Sequence, residues 1–253
     1  MRANSNTEMR NTSYSKAVLK TLIILDQFKE SDELGIKELA DATDIPPSTV
    51  QRMVNTLVMK QYLQKSLSKR KYCPGTSLFE ISARAKNVSG RIELAKEYMK
   101  EFTAETRENI NYAVLKGSQV TYLAKVDSPE LLRPNFQVGK LYPAFNTSLG
   151  RCLLAYKPWS RVEAMYDRLP NKNISKEKFH ALLKEVRRKG YATEREQFRP
   201  GLWCAAAPVR DSEGEVIAAL STCIPILRLD AEREKIMCRR IVDTAKSVSV
   251  VMG

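Results

Sequence analysis

The stretch from Leu34 to Gly75 limits the possible folds of this chain more than any other. Apolar positions at Leu39, Ile45, Val50 and Met53 have the spacing of two helices joined by a sharp turn, with small Ala40 where the helices would cross. Asp44 falls in the turn, where a residue able to take positive φ is wanted; Gly is usual there and Asp is a tolerated substitute. Pro47 suits the first turn of the second helix, where its missing N–H costs little. Val50, Met53, Val54 and Leu57 then form an inward stripe, and Ser48, Thr49, Gln51, Arg52 and Asn55 point outward. These are hydrogen-bonding side chains with the chemistry of base edges and phosphates.

Charge sharpens this reading. Between Ile45 and Phe79 there are six basic residues (Arg52, Lys60, Lys65, Lys69, Arg70, Lys71) and no acid. Tyr62-Leu63 and Tyr72 flank Gln64–Lys71, which reads as a β-hairpin wing with Lys69, Arg70 and Lys71 on its return side. A one-signed stretch beside an exposed polar helix suits duplex DNA, because phosphate contact supplies most non-specific affinity. The competing reading is a solvated basic loop on an unrelated helical hairpin.

The whole chain, 253 residues with formal charge +13, is long enough for one large or two ordinary domains. Residues 1–90 carry 14 basic and 9 acidic residues, so +8 remains for 91–253 and the basic excess is not confined to the end expected to face DNA.

Five cysteines without CxxC spacing do not make a disulfide framework, so a reducing cytoplasm is expected. A single histidine, His180, leaves no metal-ligand cluster, and neither a metal nor a cofactor is expected. His180 lies in a charged helix and is expected to be exposed. No apolar run reaches the ~18 residues needed to cross a bilayer, and the N-terminus lacks a signal-peptide core.

In chain order, residues 1–13 read as a frayed polar tail. Residues 15–29 read as a support helix with Val18, Leu22 and Leu25 on one face and Phe28 closing it. Thr76–Asn87 looks helical and Asn87–Gly90 breaks it. A second helix from Arg91 uses Ile92, Ala95, Met99 and Phe102.

Beyond Ile110 the period changes to two. Strand pairs are expected at 111–115 with 120–126 and at 202–210 with 215–226, and a further short strand at Phe136–Val138. The stretch from Gly139 to Phe145 reads as a loop, and helices are expected at 147–156, 160–168, 175–189 and 230–252. Strands and helices mix without strict βαβ alternation, which argues for an α+β domain on an antiparallel sheet. The expected organisation is a DNA-binding domain over 1–75, a connecting helix over 76–90 that could instead pack on the first domain, and a second domain over 91–253.

The chain resembles the IclR family of bacterial transcription regulators along nearly its whole length. The matching residues include Ile36–Ala40, Ser48–Arg52, Tyr72, Gly75, Gly139, Pro143, Gly150-Arg151, Leu153–Ala155, Gly190–Ala192, Glu196, Gly201, Cys204, Ala206–Val209 and Gly214. The resemblance implies a winged helix-turn-helix, a linker helix and a GAF-like domain that binds a small effector. It also implies homodimers or homotetramers on palindromic double-stranded operators. Departures from the family pattern are Asp44 for the turn Gly, Arg151 for Lys, Pro74 for Leu, Glu194 for Asp and Gln197 for a second acid.

The resemblance places effector contacts at Ser148, Leu149, Glu194, Leu202, Cys204, Ser221 and Cys223. Physical chemistry gives these positions a rationale. A helix starting near Thr147–Leu149 offers free backbone N–H groups and the positive end of its dipole to a carboxylate. Ser221 and Cys223 share one face of their strand, as do Leu202 and Cys204, while Trp203 faces away.

Thiol, hydroxyl and apolar surface together suit a small organic acid. Each residue also has a plain alternative. Both cysteines could be core, Ser148 could be a cap, and Glu194 could be a surface acid at a strand edge. Two other functions compete: a DNA-binding protein without an effector, and a cysteine-dependent hydrolase, which would need a base near its thiol.

Overall fold

The computed structural model describes residues 14–66, 70–84, 86–169 and 174–252. The chain divides into two compact units, the division falling between Ala85 and Lys86.

The first unit packs α1 (Lys16–Gln27), α2 (Ile36–Thr43) and α3 (Pro47–Met59) around Ile24, Leu39, Ala40, Ile45, Val50, Val54, Leu57 and Leu63. Asp44 ends α2 in the left-handed region at φ 56°, and Pro47 begins α3, as the turn chemistry requires. Strands β1 (Leu63–Lys65) and β2 (Tyr72–Pro74) pair antiparallel, and Leu34 bridges to Tyr72 on the outer side. Behind the wing, α4 (Thr76–Arg84) is tied back by Ser77 Oγ, which donates to the Lys60 carbonyl at 2.9 Å. A Cβ at Gly75 would lie 2.1 Å from the Gln61 carbonyl oxygen, so only glycine fits this crossing.

The apolar face of α1 divides: Leu25 and Phe28 pack against this core and the rest does not. Val18 and Leu22 are exposed, and Ile24 is the helix's buried residue. Ile24 and the α2 and α3 side chains already fill this small core, so the Val18–Leu22 stripe is left on the outside.

In the second unit, α5 (Lys86–Thr106) precedes β3 (Ile110–Lys116), β4 (Gln119–Val126) and β5 (Leu141–Pro143). Helices α6 (Ser148–Ala155), α7 (Trp159–Asp167) and α8 (Lys176–Lys189) follow, then β6 (Ala192–Arg195), β7 (Leu202–Arg210), β8 (Val216–Pro225), a 3-10 turn and α9 (Ala231–Met252). The six strands form one antiparallel sheet in the order β5-β4-β3-β8-β7-β6.

Each face of this sheet has its own core. Cys204, Ala206, Ala219 and Cys223 face α6 and α8, while Trp203, Ala205, Leu220 and Ile224 face α5 and α9.

Three local readings are corrected. Asn87–Gly90 lies inside α5, since a lone glycine costs a helix only about 1 kcal/mol. Phe136–Val138 is not a strand; the Gln137 N–H donates to the Tyr142 hydroxyl at 3.2 Å instead of to a ladder. The strand is β5, within the stretch read as loop, and its Pro143 is tolerated because β5 is an edge strand.

Candidate DNA-reading face and effector site

On α3 the buried stripe is Val50, Val54 and Leu57, with Met53 half-buried. The rotation this fixes leaves Ser48, Arg52 and Asn55 exposed and Thr49 and Gln51 half-buried. Gln51 Nε2 donates to Asn55 Oδ1 at 2.9 Å, and Tyr72 of the wing lies 3.4 Å from the same nitrogen. Arg52, Thr49, Asn55 and Thr56 share a surface hollow with Ala17 and Thr21 of α1.

In the wing, Arg70 is exposed, and Lys71 Nζ lies 2.8 Å from Glu38 Oε1 on α2. Lys71 therefore already has a carboxylate partner, which the sequence did not announce. Lys69 lies outside the described residues.

The second site is built on the α6 face of the sheet. Thr147 caps α6, its hydroxyl accepting from the Gly150 N–H at 3.1 Å, which leaves the N–H groups of Ser148 and Leu149 without acceptors inside the helix. Ser148 and Leu149 are both buried. Gly150 lets the Ala144 backbone approach so closely that a Cβ would sit 2.0 Å from its carbonyl oxygen.

Glu194 pairs with Cys204, and Cys204 with Cys223, so the three form one row across β6, β7 and β8. Ser221 lies two residues along β8 from that row and Leu202 two residues along β7. Leu202 is half-buried against the same core.

Glu194 is only 3% exposed and is no surface acid. Its Oε2 accepts from the Gln197 N–H at 2.9 Å and the Phe198 N–H at 3.3 Å. Among the described residues no hydrogen bond of normal geometry reaches its Oε1, although the Cys204 thiol is close enough to the carboxylate to be pushed up by it, and none reaches the buried Ser221 Oγ. Buried polar atoms are rarely left unpaired, and each such exception asks for a cause.

Several neighbours escaped the sequence reading. Arg151, 5% exposed, donates from Nε to the Phe145 carbonyl at 3.2 Å and from Nη2 to Gln197 Oε1. Burial lowers its pKa, and the nearby Glu194 carboxylate opposes that shift. The Arg-for-Lys and Gln-for-acid departures thus meet in one contact.

Tyr122, Phe136, Tyr142 and Phe198 form an aromatic wall with ring centroids 5.0 to 6.4 Å apart. Burial pushes the Tyr122 phenol well up, helped by Cys223, Cys204, Tyr142 and Glu194, which places it beside the row. Only the alternation of β4 hinted at Tyr122; nothing local marked Phe198.

Contact with Cys223 and burial push the Cys204 thiol well up, the opposite of what a thiolate nucleophile needs. His180, expected to be exposed, is half-buried and stacks on Trp159 at 3.9 Å. Among the described residues no cluster could hold a metal ion, and no helix is long and apolar enough to cross a membrane.

The IclR C-terminal domain model of bacterial transcriptional regulators matches residues 87–250, and the IclR helix-turn-helix model matches residues 17–66. The chain belongs to the IclR family of bacterial transcriptional regulators. It is 33% identical over 257 aligned positions to the HTH-type transcriptional regulator KdgR of Escherichia coli, covering 99% of this chain and 97% of that one.

Two solved structures share the fold at 23% identity. One is an IclR transcriptional regulator from Alicyclobacillus acidocaldarius (TM-score 0.82, covering 95% of this chain and 100% of that one). The other is an IclR homologue from Microbacterium hydrocarbonoxydans complexed with 4-hydroxybenzoate (TM-score 0.81, covering 93% and 98%). This IclR-type regulator therefore carries the family's helix-turn-helix DNA-binding module, and the proteins it is similar to are transcriptional regulators.

Proposed function

We propose that this regulator binds a palindromic operator through α3 and is controlled by a small hydroxylated carboxylic acid held on the α6 face of the sheet. Arg52, Gln51 and Asn55 reach base edges from the major groove, Ser48 and Thr49 hold phosphate, and Lys69, Arg70 and Lys71 of the wing add backbone contacts. The Gln51–Asn55 bond keeps two base-reading amides oriented, and the Glu38–Lys71 pair is exposed enough to exchange for a phosphate.

One helix reads few base pairs, so a homodimer or homotetramer on paired half-sites is the working form. The exposed Tyr14, Val18 and Leu22 of the first unit supply apolar surface for such pairing. The protein works in the cytoplasm, where its operator is.

The observation that carries the effector half is the pair of unsatisfied atoms, Glu194 Oε1 and Ser221 Oγ, within a buried site that also holds the open first turn of α6. The α6 amides and Arg151 favour a carboxylate. Glu194 Oε1 accepts only, so the ligand must bring a donor, and a hydroxyl does so without adding a second charge. Leu149, Leu202 and the aromatic wall enclose the carbon frame, with Ser148, Cys204 and Cys223 alongside. The 4-hydroxybenzoate bound by the Microbacterium homologue has the same two functions, a carboxylate and a hydroxyl.

Calorimetry with acids differing only by one hydroxyl tests this reading. The hydroxy acid should bind more tightly by about 1–3 kcal/mol, the cost of leaving a buried acceptor unpaired. Glu194→Gln, which replaces one acceptor by a donor, should erase that preference. A broad panel of carboxylates with no binder would return the protein to a DNA-binding function without an effector.

A further inference from the structure

All five cysteines are free, yet two of them face each other. Cys204 and Cys223 are direct partners on adjacent antiparallel strands, both in the α6-facing core and both almost fully buried. The Cys223 N–H donates to Asn109 Oδ1 at 3.3 Å, on the β3 side of the sheet. It therefore points away from β7, which makes Cys204–Cys223 a non-hydrogen-bonded pair. Such pairs bring Cα atoms to about 4.5 Å and side chains closest together. Disulfides accept Cα separations from about 4.4 Å upward. The two thiols are close enough to influence each other, Cys223 being the first cause of the raised Cys204 pKa. Among the described residues no other two cysteines oppose each other in a ladder.

We propose that Cys204 and Cys223 are a modification site, a dithiol that a peroxide converts to an intrachain disulfide across β7 and β8. One thiolate attacks a peroxide oxygen, breaking the O–O bond to give a sulfenic acid and hydroxide, which takes up the thiol's proton to become water. The second sulfur displaces the sulfenic oxygen as water and the S–S bond forms. Two thiols lose two electrons in all, and one hydrogen peroxide is reduced to two waters.

Burial and the high Cys204 pKa make the reaction slow. The bond would lie beside Glu194 and remove two thiol donors from the floor of the site. The inference stands whatever the effector is, because it rests on the strand register and the closeness of the two thiols.

The test uses the full chain treated with hydrogen peroxide, alkylated and digested. Trypsin cuts after Arg210 and so puts the two cysteines on different peptides. The expected result is a Cys204–Cys223 cross-linked peptide, lighter by two hydrogens than its parts, formed in protein that has not joined to another copy and reversed by dithiothreitol. Phenylarsine oxide, which bridges close dithiols with loss of one water, should label the same two cysteines without oxidation.

In Cys204→Ser the cross-link and the arsenical bridge should both disappear; if that variant does not fold, the wild-type peptide map decides alone. Cys204 and Cys223 still open to alkylation when Cys73 is oxidised would overturn the proposal. So would an arsenical bridge without a peroxide cross-link, or cross-links joining other cysteines.

Discussion

Replacing Gly150 by alanine sets two effects of opposite sign against each other. Alanine is the better helix former by about 1 kcal/mol, so α6 taken alone predicts a gain. Packing predicts the reverse. The new Cβ would lie 2.0 Å from the Ala144 carbonyl oxygen, 2.2 Å from its Cα and 2.4 Å from its carbonyl carbon. All three are backbone atoms, so no side chain can rotate aside, and the 144–145 segment must move by more than 1 Å to restore contact distance near 3.5 Å. Forced backbone shifts of this kind cost about 1–3 kcal/mol or more, and here the moving segment also carries the carbonyl that accepts from Arg151.

Set against the helix gain of about 1 kcal/mol, the net expectation is a loss of up to about 2 kcal/mol, and more if the Arg151 contact goes with it. For a unit of this size that lowers the melting midpoint by about 2–4 °C per kcal/mol. Urea unfolding followed by the fluorescence of Trp159 and Trp203, both in the second unit, reads it directly. A variant as stable as the parent, or more stable, would show that the close approach imposes no constraint and that Gly150 is an ordinary helix residue.

Other outcomes follow from the same geometry. Arg52→Ala should weaken operator binding by about 1–3 kcal/mol and relax base preference at one position in each half-site, measured by gel shift on single-base operator variants. Unchanged affinity would remove Arg52 from the reading face. Arg70→Ala should weaken all duplexes alike and flatten the salt dependence by about one unit of slope; a sequence-dependent effect would contradict a phosphate role. Glu108, 1% exposed, holds Arg228 at 2.8 Å and Arg233 at 2.9 Å. Glu108→Gln should destabilise the second unit by about 2–4 kcal/mol in urea, toward the low end of buried pairs because both arginines keep some solvent.

The first unit was legible because its signals are local. Asp44 and Pro47 act at a single turn, and the Val50–Leu57 stripe within about two turns of helix. The partner of Lys71 was not legible, because Glu38 lies 33 residues away and only the folded wing brings them together. In α1 the periodic stripe was real but did not say which side is inside, and the core chose Ile24.

The site in the second unit was half readable. Period two correctly separated Cys204, Ser221 and Cys223 from Trp203, but the row with Glu194 depends on register across three strands. Arg151 stood out only as a departure, and its contact with Gln197 spans 46 residues. The strand at β5 was hidden by Pro143, whose penalty vanishes at a sheet edge.

Strand β8 has no solvent-facing side through its second half. Ser221 and Cys223 look one way, Leu220, Thr222 and Ile224 the other, and all five are buried. A close-packed strand with no water to yield into acts as a stiff plate. Whatever pushes on it from the Glu194 side must be taken up by α5 and α9 behind it, and α5 continues in sequence from the helix-turn-helix unit. The surface that carries Glu194 and the surface against α5 and α9 are thus two sides of one rigid partition.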